Sequence, residues 1–110
     1  MKYGPRLKGI TRPPMSNYRL SRLAAADLEE IADFTIEQFG IEQSRRYRDG
    51  LKTCFDQLAD NPELGRKSEQ LMRGLQRFEH QSHVVFYINE TDNLLIVRVL
   101  HFSMDVPRHF

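Results

Sequence analysis

The sequence contains one cysteine, Cys54, in 110 residues. No internal disulfide can form, which suits a reducing compartment. No stretch approaches the ~20 consecutive apolar residues that a membrane span needs. The opening MKYGPRLKGITRPP lacks the apolar segment of a secretory signal. The expectation is a cytoplasmic protein without membrane contact. Signatures of chemistry are equally scarce, with no glycine-rich phosphate loop, no serine nucleophile elbow and no catalytic cysteine context. His80 and His83 stand three apart in chain that reads as extended, which directs their side chains to opposite faces. Cys54, His101 and His109 follow no ligand spacing, so neither a metal nor a cofactor is expected. Phosphodiester cleavage would need a proton carrier such as Glu79, His83 or His101, with cations from Arg66, Lys67, Arg73, Arg77 and Arg98. Such residues occur in any soluble domain, and pairing them takes a geometry that spacing does not give, so cleavage stays open at this point.

The chain is long enough for a single domain with one modest core. Its 16 basic and 15 acidic residues nearly cancel, but they are segregated. Lys2, Arg6, Lys8, Arg12, Arg19 and Arg22 come before any acid, whereas residues 23–39 carry Asp27, Glu29, Glu30, Asp33 and Glu37 and no base. Separation of this kind makes local fields, not a uniformly charged surface. Residues 1–14 hold three of the five prolines and two of the six glycines. They read as a flexible basic extension, leaving residues 15–110 as the folded domain.

From Asn17 to Leu23 the residues alternate as in a short strand. Ala24, Leu28, Ile31, Ala32, Thr35 and Phe39 then share one helical face, with Asp27, Glu30 and Glu37 off it. Ser21 is the expected N-cap and Gly40 the stop. The early acids suit the helix dipole. A second helix runs from Ile41 to about Asp60, with Tyr47, Leu51, Cys54, Phe55 and Leu58 at helical spacing and Asn61-Pro62 ending it. Gly50 inside it suggests close packing against the first helix. Beyond Gly74 the period changes. LQRF (75–78), HVVFYI (83–88) and LLIVRVL (94–100) read as strands, the last two joined as a hairpin. Arg66 and Lys67 fall in a solvated turn.

Helices grouped before an antiparallel meander give an α+β layout, with the helical hairpin on one face of a small sheet. The other face is then expected to be open. If Leu95, Val97 and Val99 face the helices, Ile96, Arg98 and Leu100 face away. A guanidinium flanked by apolar side chains would make that face a protein-binding surface. The plain structural alternative pairs Arg98 with a carboxylate such as Glu79.

Four segments in order carry a resemblance: LSRLAAADLEEIADFTIEQFG, LADNPELGR, GLQRFEHQSHVVFY and LLIVRVLHFSMD. Together they resemble the ParE family, the toxins of bacterial type II toxin–antitoxin modules, over about Tyr18 to Asp105. Gln76 departs from the arginine that the family often has there. The resemblance implies the RelE/ParE fold and a toxin that inhibits DNA gyrase by binding, neutralised by a cognate antitoxin. Nucleic acid would then be met only through the gyrase–DNA complex or the antitoxin. The alternatives are a ribosome-dependent mRNA endonuclease of the RelE type, which the terminal PRHF superficially suggests, and a non-toxic interaction domain. The ending RVLHFSMD is the ParE version. The residues expected to meet the target are Arg98, His101, Met104 and Asp105, with Arg66 and Lys67. Those expected to meet the antitoxin are Leu75, Phe78, Val85, Tyr87 and Leu94.

Overall fold

The computed structural model describes residues 17–110, so the extension expected at 1–14 lies outside the described residues. Strand β1 (Tyr18–Leu20) leads into helix α1 (Arg22–Phe39), and α2 (Ile41–Asp60) follows. Then come a 3-10 turn (Pro62–Leu64), β2 (Arg66–Lys67), β3 (Leu75–His80), β4 (His83–Asn89), β5 (Leu94–His101) and a C-terminal 3-10 turn (Val106–His109). The sheet order is β1-β5-β4-β3-β2, with β1 parallel to β5 and the other pairs antiparallel. The α+β expectation holds. Arg66 and Lys67 were expected in a turn, but they pair with Arg77 and Gln76 as a two-residue edge strand. Two residues are too few to show a period.

Local chemistry sets the helix ends. Ser21 has extended backbone, and its Oγ accepts the Ala24 N–H at 3.0 Å. The same hydroxyl donates to the Val97 carbonyl at 2.7 Å, so the cap also fastens α1 to β5. Gly40, at φ 92°, ends α1 and turns directly into α2. A side chain there would meet the strain of the left-handed region. Among the α2 residues, Leu51, Cys54, Phe55 and Leu58 are buried, a spacing of three and four that makes one apolar stripe. Each large member contributes roughly 1.5–3 kcal/mol by leaving water. They pack on Val85, Tyr87, Leu94, Ile96 and Val99 of the sheet.

Several expected orientations differ. α1 has no acid in its first turn, and Asp27 lies buried at 7% exposure against β5. Phe39, expected in the core, is 68% exposed. Gly50 faces His80 of β3, whose Nε2 would sit 3.6 Å from an added Cβ; it does not mark a contact with α1. In β5, Tyr87 pairs with Ile96 but Phe86 pairs with Arg98, so Val97 is an extra residue. A bulge of this kind shifts the alternation by one. Ile96 and Val99 therefore face the helices, while Val97 and Leu100 join the other side. That side is covered as well. Leu75, Val84, Phe86 and Leu100 form a second cluster under Leu71 and Val106, and Phe110 meets Phe86 edge-on at 5.1 Å. The chain's own C-terminus occupies the face that was expected to be open.

Candidate functional site

β1 stops pairing at Leu20↔Ile96, and among the described residues no strand covers the edge of β5 beyond that point. α1 runs along this free edge and supplies side-chain acceptors and donors in the strand's place. After Ser21 on Val97, the Asp27 carboxylate accepts the Val99 N–H at 2.9 Å. Arg98 closes on the same carboxylate, with Nε and Nη2 each 2.8 Å from one of its oxygens. Its Nη1 donates to the His109 carbonyl at 2.8 Å, which ties down the C-terminal turn. The two side chains are 12% and 9% exposed. Hydrogen bonding to Asp27 raises the Arg98 pKa further above its ordinary value, against a smaller opposing effect of burial. Arg98 thus sits in a strand because α1 brings a carboxylate to that edge. The expected exposure on an open face is not found, and the partner is Asp27, while Glu79 lies within 4 Å of Arg66 and Arg77.

Beside this bridge lies a groove of about 770 Å³ between α1, the β3–β4 turn and the hook after β5. Its apolar rim carries Phe34 (59% exposed), Phe39 and Met104 (41% exposed). Its polar floor holds Tyr47, His83 and His101. The connection Gln81–Ser82 is so short that His80 and His83 stand opposite each other on β3 and β4. They were expected to diverge. A turn between them reverses the chain, so residues three apart share a cross-strand position. His83 in turn pairs with His101 of β5, their rings 5.4 Å apart. The Tyr47 hydroxyl reaches His83 Nδ1 at 2.6 Å. Burial first, and then the neighbouring His101 and His80, push the His83 pKa down to about 4, with Asp27 opposing. His101 Nδ1 meets Ser103 Oγ at 2.7 Å, and its ring stacks on Phe102.

The family described as "ParE toxin of type II toxin-antitoxin system, parDE" matches residues 18–106. Toxin ParE1 of Caulobacter vibrioides is 39% identical over 95 residues, 86% of this chain and 98% of that protein. The chain belongs to the ParE toxin family. Toxin ParE1 of Mycobacterium tuberculosis H37Rv is 38% identical over 95 residues, covering 86% and 97% of the two chains. A solved structure titled "Chromosomal ParDE TA system from P. aeruginosa" superposes with a TM-score of 0.66 at 23% identity, covering 79% of this chain and 96% of that one. It shares the fold.

Of the ParE residues expected to meet a target, His101, Met104 and Asp105 are brought together at the hook, with Met104 and Asp105 exposed. Arg66 and Lys67 are also exposed, but on β2, three strand spacings from β5, roughly 14 Å away. The residues expected to meet an antitoxin fare differently. Leu75, Val85, Tyr87 and Leu94 are at most 1% exposed, because both faces of the central strands are covered. Only Phe78 remains half-buried, packed at the margin of the helix-side core. Sequence reasoning missed Phe34, Phe39, Tyr47 and Asp27. Asp27, Phe34 and Phe39 of α1 and Tyr47 of α2 read as ordinary helix-face residues, and only the register of β5 reveals which face of α1 meets the sheet edge.

Proposed function

We propose that this ParE toxin acts by binding DNA gyrase through the hook after β5, with His101, Met104 and Asp105 at the contact. We further propose that a cognate antitoxin silences it by laying an amphipathic segment into the adjoining groove. The observation that carries the reading is the rim itself. Phe34, Phe39 and Met104 are large apolar side chains left in water beside a polar floor. Surfaces of that composition suit a segment that folds as it binds. The four core side chains Leu75, Val85, Tyr87 and Leu94 drop out of this antitoxin surface. Arg98 acts indirectly, by fixing β5 and the C-terminal turn.

Binding is favoured over nuclease chemistry by the placement of charge. The histidines lie at one end of the sheet with Nδ1 of His83 and His101 already engaged within the protein. Of the candidate proton carriers only Glu79 stands beside Arg66 and Arg77, on β2 and β3, whereas His83 and His101 pair with each other on β4 and β5. Phosphoryl cleavage needs the acid, the base and the cations about one phosphate. The protein works where gyrase does, in the cytoplasm, and residues 15–110 make up the toxin unit.

Induction in bacteria tests the reading. Growth should stop while a reporter plasmid loses negative supercoiling and translated mRNA stays intact. Codon-specific mRNA cleavage on an unchanged plasmid would assign the protein to the RelE type, and normal growth would make it an inert interaction domain.

A further inference from the structure

His80, His83 and His101 stand side by side on β3, β4 and β5, and Tyr47 of α2 reaches down onto the middle one. The row is packed against α2: His80 Nε2 is buried under Gly50 and has no hydrogen-bond partner among the described residues. With its hydrogen on Nε2, neutral His83 accepts a hydrogen bond from the Tyr47 hydroxyl at Nδ1. Once charged, Nδ1 carries its own hydrogen, and the Tyr47 hydroxyl must turn its proton toward its other neighbour, the His80 carbonyl at 3.4 Å. Among the described residues, the nearby carboxylates offset the new charge only in part. Asp27 of α1 is already held by Arg98 and the Val99 N–H. Glu30 of α1 lies at the groove and is exposed. Cys54 of α2, which faces Tyr47, is a buried neutral thiol with its pKa raised to about 11 by burial. The titratable groups that β3 and β5 present to His83 are two further histidines, and both lower its pKa.

We infer that this row is a proton-operated latch between α2 and the sheet, closed when His83 is neutral and released when it is charged, which reshapes the groove floor in acid. Buried His83 takes up its proton late, so the latch holds through neutral and mildly acidic conditions. The inference concerns the protein's own groove and stands apart from which partner fills it.

Amide hydrogen exchange on the free protein, corrected for intrinsic rates, tests it at pH 7.0 and pH 4.5. Protection at residues 44–50 and 80–83 should fall at least tenfold more than at Phe55 and Leu58. The Tyr47→Phe variant should show that looser seam already at pH 7.0. His83→Gln, which keeps a neutral acceptor, should remove the pH effect. A uniform loss of protection along α2, or an undiminished local loss in His83→Gln, would overturn the inference. Should a variant fail to fold, the NMR titration of the wild-type imidazoles decides. The latch requires the local loss of protection to follow the protonation of His83, whereas a loss that follows another imidazole, or none when His83 titrates, would refute it.

Discussion

Replacing Arg98 by alanine removes both 2.8 Å hydrogen bonds to Asp27 and the one to the His109 carbonyl. Asp27 stays 7% exposed and keeps the Val99 N–H as its bond to β5. Breaking a buried pair this way strands a charge and costs roughly 3–5 kcal/mol, a large share of the ~5–15 kcal/mol that holds a domain together. At about 4–8 °C per kcal/mol for a domain of this size, the melting temperature should fall by at least ~12 °C. Arg98→Lys should lose less than alanine but still melt low, because an ammonium cannot span both carboxylate oxygens. Thermal and urea melts of the two variants beside Asp27→Asn supply the check. A double-mutant cycle then separates the coupling from the single losses. If Arg98→Ala melts within ~4 °C of wild type while toxicity disappears, the bridge contributes little, and Arg98 is a target contact as its sequence position first suggests.

His83 gives a pH dependence with a definite sign. Its folded pKa of about 4 lies below the ordinary 6.5, so the unfolded chain binds the extra proton first. Stability should be full above pH ~6.5 and fall by on the order of 2–3 kcal/mol as the pH drops toward 4, a loss that urea titrations of wild type and His83→Gln would resolve. At Gly65 an added Cβ would collide with the Tyr87 hydroxyl and come within 2.7 Å of the Arg77 carbonyl. Because backbone cannot swing aside, Gly65→Ala should cost ~1–3 kcal/mol in a melt, and a neutral result would show that this turn gives way. The Ser68 hydroxyl is fully buried without a hydrogen-bond partner among the described residues. Ser68→Ala should therefore be neutral or raise stability, and a loss of more than ~1 kcal/mol would reveal a bond that the hydroxyl makes.

Elements with a strong period and clear punctuation were legible. Ser21 and Gly40 bounded α1, Asn61-Pro62 ended α2, and the three long strands carried branched and aromatic runs. What escaped depended on contacts across the chain. Strict alternation put Ile96 and Leu100 on one side of β5, whereas the extra residue opposite Phe86–Tyr87 put them on opposite sides. Asp27 reads as a solvated acid of α1 until β1 proves too short to cover the edge of β5. The histidine row depends on a two-residue turn whose Gln81 takes a positive φ of 51°, a conformation that glutamine does not advertise. Likewise, Leu75, Val85, Tyr87 and Leu94 are apolar enough for either a core or an interface. Tertiary contacts decide for the core: Val85, Tyr87 and Leu94 lie under the helices, and Leu75 joins the cluster on the other face, where the C-terminal turn folds back.

The central claim is that the hook after β5 binds gyrase, and a supercoiling assay with purified components tests it most directly. Wild-type protein should block ATP-dependent supercoiling by gyrase. Met104→Ala and Asp105→Ala, both at exposed positions, should melt within ~2 °C of wild type, as surface changes do, yet lose the inhibition. Unimpaired supercoiling at a molar excess of folded wild-type toxin would contradict the account.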